Sequence, residues 1–489
     1  MSKNFDKTKL LFLAIVFFTM VCYSNSEELV LTLDQCIKIA QEKSHQAKII
    51  KSTYQGSKYD YDAFLASFYP QLQFNSSLPG LFRSINRITQ PDGSEEFLPQ
   101  SQLYSNWDLG ISQKIPWTGG NFSVSSNLTR IDQFGDNDIF YWRSSPVVLT
   151  LQQPLFQYNS MKWDRILQEK VNIYSDKKYN EDMEDLAISI TQKFFDLFIA
   201  KMTLINADDN LAINDTLFNI AKGRYKVGKI GENDLLQSEL SLMNFQSRYE
   251  SILLNFERMK ENLILALGLE TDTKIEIVAP DILNNIKIDI NEALREAKIY
   301  RSDITNYEIE KTQSDMNLNR TENMNDFQAN IIASFGMNQT AGQIPDAYRN
   351  LLDQESFNLT FQLPLYQWGL YDSQVQSAKE EQYRSIKSIE LKSKEFELSV
   401  KFQVLEFLQL QQQVILSSKA DTIAQKRFEV AKNRYMIGKI DQNSLFIAQQ
   451  EKNSAFQSYI QTVRNFWLAY YGMRRVTMYD FIKGKPIIY

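Results

Sequence analysis

Histidine and cysteine are almost missing from this 489-residue chain, which has one histidine, His45, and two cysteines, Cys22 and Cys36. No His/Cys metal cluster can be assembled from them, and there is no Gly-rich phosphate loop or nucleophile elbow. An enzyme is therefore not expected, nor a metal or other cofactor. His45 has charged neighbours in a helical stretch and reads as a solvated position. Charge of one sign is also lacking. A net charge of −6 is mild and argues against a nucleic-acid partner. No run of 18 apolar residues follows the first two dozen positions, so no transmembrane helix is expected, and anything that spans a bilayer would have to be a β-barrel.

The first residues form a leader. Lys3, Lys7 and Lys9 precede an apolar run from Leu10 to Val21, and small residues follow at Ser24 and Ser26. This is the pattern of a secretory signal peptide over residues 1–26, with cleavage expected after Ser26 and Ser24 as the alternative. Cys22 raises a lipoprotein reading, which is disfavoured because Val21 stands where a small residue is wanted. The mature chain then keeps only Cys36, so it has no internal disulfide although it enters an oxidising compartment. Cys36 falls on the apolar face of its helical stretch, where packing is its expected role.

What the chain does have is a copy of itself. Ala221-Lys-Gly-Arg-Tyr-Lys-Val-Gly-Lys-Ile230 matches Ala431-Lys-Asn-Arg-Tyr-Met-Ile-Gly-Lys-Ile440 at an offset of 210. Gln153-Pro-Leu-Phe-Gln-Tyr158 matches Leu363-Pro-Leu-Tyr-Gln-Trp368 at the same offset. Leu33-Asp-Gln-Cys-Ile-Lys-Ile-Ala40 resembles Ile290-Asn-Glu-Ala-Leu-Arg-Glu-Ala297 at an offset of 257, so the first half carries 47 extra residues, the difference between the offsets. The organisation expected is a first repeat over 27–270, a linker over 271–289, a second repeat over 290–473 and a tail over 474–489.

Each half opens with helical spacing, over about 33–68 and 290–325. Thr32 or Asp34 could cap the first helix and Asp289 the second. Strand-like segments of about ten residues follow, the length a tilted strand needs to cross a bilayer. In the second half they are 327–337 and 357–365, and in the first 70–78 and 147–156. The extra residues read as one more hairpin, Asp108–Ile115 and Asn121–Leu128 around the turn Trp117-Thr-Gly-Gly120. Segments 80–104, 131–146 and 338–356 read as polar loops.

Proline is absent from Ser160 to Val227, where the only glycine is Gly223, and both are absent from Leu370 to Ile437. Each stretch spans 68 residues of helix-compatible sequence, roughly 100 Å as a single helix. Phe194, Phe195, Leu197, Phe198, Met202 and Ile205 recur at helical spacing, and a helix this long must be wrapped by partners. Gly228 and Gly438 break the runs. New helices start near Glu232 and Gln442 and end near Gly268 and Gly472. Strand-like Lys274–Val278 would belong to a belt between the halves. Four to six strands per chain cannot close a barrel, and an open edge is not tolerated in lipid, so other copies must supply the rest.

In its duplicated Arg-Tyr-x-x-Gly-Lys-Ile corners, Pro-Leu strand exits and helix openings, the chain resembles the TolC-like outer-membrane efflux family over essentially all its mature length. The resemblance implies a mixed α and β fold: a trimeric transmembrane β-barrel of 12 strands in outer-membrane lipid, continued by a long periplasmic α-helical barrel. It implies a homotrimer that docks a periplasmic adaptor (membrane fusion) protein and, through it, an inner-membrane pump. The function implied is the passive exit duct of a tripartite efflux or type I secretion system, with drugs, metal ions and proteins all open as cargo. A periplasmic adaptor-like protein would show one hairpin and a lipoyl-like β domain, and a structural coiled coil would need no alternating strands.

The resemblance also assigns residues. The corners Gly228-Lys229-Ile230 and Gly438-Lys439-Ile440 would meet the adaptor. Asp234 and Tyr435 fall at the positions of a polar latch that closes the tunnel, with Lys439 as a cationic partner, although the family's base falls one residue later, at Ile440. Asp234 could equally cap its own helix. The family's ring of acids falls here on Ser444 and Ile447, so any such ring would need other residues, for example Asp441. The family pattern leaves open whether the extra hairpin joins the barrel.

Overall fold

The computed structural model describes residues 29–135, 138–278, 280, 286–324 and 326–489. The expected signal peptide and Cys22 lie outside the described residues, as does part of the linker. The chain divides into two compact units. One holds six strands and the helix segments next to them (Tyr54–Asp176 and Ser302–Glu395), and the other is mostly helical (residues up to Thr53, Lys177–Arg301 and Phe396–Tyr489). Among the described residues no helix is long and apolar enough to cross a membrane.

The helical unit begins with β1 (Leu29–Leu31) and α1 (Leu33–Lys43). Thr32 caps α1 through a capping box with Gln35. Asp34, the other capping candidate, instead accepts a hydrogen bond from the Tyr471 hydroxyl at 3.2 Å. The opening helix expected over 33–68 is broken at Ser44, and α2 (His45–Ala66) starts anew. Ser44 takes extended backbone angles, its N–H donates to Ala40 O, and its hydroxyl accepts from Ala47 N–H at 3.0 Å. One residue therefore both ends a helix, through its backbone, and starts the next, through its side chain.

The second half repeats this break. Helix α5 (Ile290–Tyr300), capped by Asp289, stops at extended Arg301, and α6 (Ser302–Met324) follows. Ser44 and Arg301 are 257 positions apart, the offset of the duplicated helix openings. No proline or glycine marks either break, so helical spacing alone ran through both.

The two long runs are single helices, α3 (Ser160–Lys226) and α8 (Leu370–Met436), of 67 residues each. Each passes from the strand unit into the helical unit. The return helices are α4 (Glu232–Leu267) and α9 (Gln442–Thr477). Helix α4 ends as expected at Gly268, which is left-handed. A Cβ there would lie 2.7 Å from Lys43 O, so the glycine is also needed for room beside the Ser44 break. Helix α9 does not stop at Gly472. It continues through Gly472, which lies beside the Gln403 side chain, to Thr477, and Met478 takes the left-handed position. Strand β6 (Ile275–Ile277), within the expected belt segment, pairs in parallel with β1.

Aromatics fill the core of this unit. Phe194, Phe195, Phe407 and Phe466 are fully buried, and Phe407 packs at a tilt against Phe466 with centroids 5.4 Å apart. Ile205, expected on the buried stripe of α3, is exposed. Cys36 is buried, and desolvation pushes its thiol up to about 12, so it is a packing residue with no thiolate to react.

The strand unit is one antiparallel meander in the order β2 (Gln71–Thr89), β3 (Glu95–Ile115), β4 (Gly120–Phe134), β5 (Ile139–Leu155), β7 (Gln328–Ala341) and β8 (Leu352–Gln362). The short helix α7 (Ile344–Ala347) lies between the last two. Three sequence expectations are corrected here. Residues 80–89, 95–104, 131–134, 139–146, 338–341 and 352–356 are strand rather than loop. Pairing runs without a gap from Gly80↔Tyr104 to Thr89↔Glu95. Apolar Leu81, Phe82 and Ile85 and the neighbouring Arg83 and Arg87 are all exposed, so apolar residues fall on both faces and no period-2 signal arises. Backbone pairing does not depend on that signal.

Candidate functional site

The corners that join the long helices to the return helices are built alike. Gly228 and Gly438 have φ of 70° and 74°. Gly228 N–H donates to Tyr225 O and Lys229 N–H to Arg224 O, both at 2.9 Å. Gly438 N–H donates to Tyr435 O and Lys439 N–H to Arg434 O, also at 2.9 Å. Each pair is the double bond of a Schellman ending, which satisfies carbonyls the helix would leave open. A Cβ at either glycine would meet nothing within 4 Å, so backbone angle alone demands glycine.

Beyond the glycine the halves diverge. In the first, Gly231 has no capping side chain, and Asp234, three residues on, accepts from Gly231 N–H at 3.4 Å. In the second, the acid sits on the cap itself. Asp441 accepts from Ser444 N–H at 2.8 Å, and its hydrogen bonds to Ser444 hold its carboxyl below the usual range. The sequence difference Gly231/Asp234 against Asp441/Ser444 is thus one capping acid moved from the third position of a helix to its cap. The capping reading of Asp234 is the one its hydrogen bond favours.

Tyr435 is buried with Phe428, Leu445 and Ala448, and Ile213, Leu217, Ala431 and Ile440 pack around them. The Arg224 guanidinium lies 5.3 Å from the Tyr435 ring. The cluster therefore ties the first-half hairpin to the second. Asp234 and Tyr435 line the same cleft, of about 700 Å³, with Arg224, Gln237, Asn443 and Gln449 among its other walls. Within one chain Asp234 is engaged with Gly231 rather than with Tyr435. Gly228, Lys229, Gly438 and Lys439 are exposed, whereas Ile230 and Ile440 are half-buried and line the cleft. Of the positions expected for an acidic ring, Ser444 donates its N–H to Asp441 and Ile447 is exposed.

Behind the cleft runs a polar seam that sequence reasoning missed. Gln449 donates to Asn210 Oδ1 at 2.7 Å, and both side chains are buried. Asn206 bonds Asn453 at 3.2 Å, and Ser241 donates to Asn214 at 3.2 Å. The signal was legible: Asn206, Asn210 and Asn214 stand every fourth residue on α3, on one helical face. Buried amides at a helix seam fix register at a cost in stability.

Asp421 is also buried here. Its Oδ2 accepts from Gln425 at 2.8 Å, while its Oδ1 has no partner. Desolvation dominates and raises its carboxyl above the usual range. An acid whose folded value is raised favours folding as pH falls through that value and opposes folding above it. Asp421→Asn is therefore expected to raise the thermal unfolding midpoint at pH 8 and to change it little at pH 4, by calorimetry across pH. Equal shifts at both values would exclude the desolvation account.

Among the described residues no group of three or more His, Cys, Asp or Glu could hold a metal ion. His45 is exposed at the start of α2.

A single antiparallel sheet joined to two pairs of long and return helices, duplicated within one chain, is the fold of the TolC-family outer-membrane channels. Solved structures that share it include the CmeC outer membrane channel of Campylobacter jejuni, 14% identical over 92% of this chain and 88% of that one, with a TM-score of 0.64. The outer membrane protein VceC of Vibrio cholerae is 13% identical over 92% and 96%, with a TM-score of 0.65. The open state of the Neisseria gonorrhoeae MtrE outer membrane channel is 13% identical over 91% and 88%, with a TM-score of 0.60. No family model matches the sequence, and no curated protein does. At this identity the likeness is one of fold, and it upholds the resemblance drawn from the duplicated motifs.

Proposed function

We propose that the chain is one subunit of a homotrimeric exit duct, with its sheet in the outer membrane of a diderm bacterium and its helices in the periplasm. In this reading it passively conducts small molecules or proteins delivered by a periplasmic adaptor and an inner-membrane pump. The observation that carries the reading is the sheet. It ends on two unpaired edges, β2 and β8, although one face bears Leu72, Phe74, Leu109, Ile111, Leu149, Phe335, Phe357 and Leu359, all of them exposed in the single chain. An apolar face suits lipid and an open edge does not, so closure by further copies answers both. Exposed Tyr69, Phe156, Tyr366 and Trp368 stand where the chain enters or leaves the strands, as an interfacial aromatic girdle does. Outer-membrane fractions of cells expressing the full chain should yield oligomers that dissociate only on heating. Recovery in the soluble fraction would sink the reading.

The corners are the periplasmic mouth in this reading. Exposed Lys229 and Lys439, beside exposed Val227 and Ile437, form the surface an adaptor would meet. Asp234 and Tyr435, which line one cleft, would form the latch when Asp234 leaves the Gly231 N–H that it caps within one chain, with Lys439 as a cationic partner. A hydrogen bond to a charged group contributes about 1.5–3 kcal/mol, and three copies could hold a gate shut yet let it open. Combined Tyr435→Phe and Asp234→Ala should raise closed-state conductance in planar bilayers at least tenfold, about 1.4 kcal/mol of gating equilibrium. Unchanged conductance would remove the latch.

A further inference from the structure

Strands β3 and β4 account for most of the 47 extra residues of the first half, and they lie inside the sheet, between β2 and β5. Their side chains follow the two faces of their neighbours. A polar row crosses all six strands, Gln71↔Ser112↔Ser123↔Thr150↔Ser334↔Ser356. The next row is apolar across five, Leu72↔Ile111↔Val124↔Leu149↔Phe335, and reaches Glu355 on the last. Phe122↔Leu151↔Ala333↔Phe357 continues the apolar face from the hairpin to β8.

In the inner part of the hairpin the charges respect the same division, whereas β8 places Asp353 and Glu355 on the apolar face. Asp108 and Lys114, which flank the inner part of β3, are both at even positions, on the face that carries Gly110 and Ser112. From Gly120 to Thr129, β4 carries no charge at all. The hairpin turn matches too. Trp117, 80% exposed, stands at the end of the sheet where Tyr69 enters and where Phe156 and Trp368 leave. A hairpin lying across the mouth, or folded outside the barrel, would need neither shared face nor an aromatic at the common end.

We infer that each subunit contributes six membrane-crossing strands, so that the trimer closes an 18-stranded barrel and not the 12-stranded one implied by the family resemblance. This rests on the exit-duct reading. Barrel diameter grows roughly in proportion to strand number, so the lumen is about one and a half times as wide as that of a 12-stranded barrel, within the range that holds an aqueous channel. Much of its lining is Ser, Gln, Asn, Thr and Gly. Such a pore offers bulk water to cargo of either charge, up to the size of unfolded polypeptide. It leaves selection to the corners at the other end of the helices.

Single cysteines read the topology in the full-length protein reconstituted in lipid nanodiscs. Ile111→Cys and Val124→Cys probe the apolar face of the hairpin, and Ser112→Cys and Ser123→Cys the polar face. Leu149→Cys and Thr150→Cys are controls on β5. With a bimane label, brominated acyl chains should quench 111, 124 and 149 severalfold more than 112, 123 and 150, and iodide should show the reverse order. If 149 and 150 alternate but the four hairpin sites do not, the 18-stranded barrel is overturned while the duct reading stands. If 149 and 150 also fail to alternate, both are overturned.

Discussion

Replacing Arg474 with methionine is expected to destabilise the helical unit by about 3–5 kcal/mol, the usual cost of removing one member of a buried ion pair. The Arg474 guanidinium bonds Glu184 at 2.9 Å, lies 3.5 Å from Asp480, and faces the rings of Tyr471 and Tyr470 at 5.1 and 5.8 Å. Glu184 is completely buried on α3 and also accepts from the Tyr489 hydroxyl. Its Oε2 has no partner. Desolvation raises the Glu184 carboxyl, and the Arg474 charge only partly offsets that rise.

Without the arginine, Glu184 would be left in a dry site beside Asp480, whose other ion pair is with the largely exposed Lys483 at 3.9 Å. The sign of the pH effect follows. The Glu184 carboxyl rises further, folding takes up a proton, and the stability deficit of Arg474→Met shrinks as pH falls. Thermal unfolding followed by helical circular dichroism at pH 8 and pH 5 measures both statements. Adding Glu184→Gln should restore much of the loss at pH 8. A deficit independent of pH would show that packing against the two tyrosines, rather than charge, is what the arginine supplies.

Replacing Gly336 with leucine should abolish assembly of the sheet, at a cost on the order of 3 kcal/mol or more. Gly336 lies on β7 opposite Val148, next to the irregularity in β5 between Ser144 and Val147. A Cβ there would come 2.5 Å from Val147 O and 3.0 Å from Val148 Cα, and these are backbone atoms that cannot rotate away. The pairing at risk is the one between β5 and β7, which joins the first half of the duplication to the second. Gly342, six residues on, would meet nothing within 4 Å of an added Cβ, so Gly342→Leu is the matched control. The readout is the fraction of chain recovered as heat-dissociable oligomer. Equal recovery of both variants would mean that the sheet relaxes at Gly336.

Several elements were legible because they are duplicated. The two 68-residue runs without proline appear as helices of 67 residues that end at the expected glycines. The Schellman corners repeat bond for bond because their sequences repeat. Other features have no local marker. Ser44 and Arg301 break helices through a side-chain cap and through buried contacts, with Arg301 donating to Arg475 O at 3.2 Å and lying 3.4 Å from Glu181. Such contacts exist only once the chain has folded. The outer part of β2 lacked alternation because both its faces are exposed. Capping by Asp234 was open from the start, whereas the Asn206–Asn210–Asn214 line was readable and was passed over.

The measurement closest to the central claim is a single-particle reconstruction of the full-length protein in lipid. The account predicts a threefold particle in which β2 of one copy lies beside β8 of the next and no sheet edge is left open. A monodisperse monomer, or an oligomer whose sheets stay unclosed in the bilayer, would contradict it.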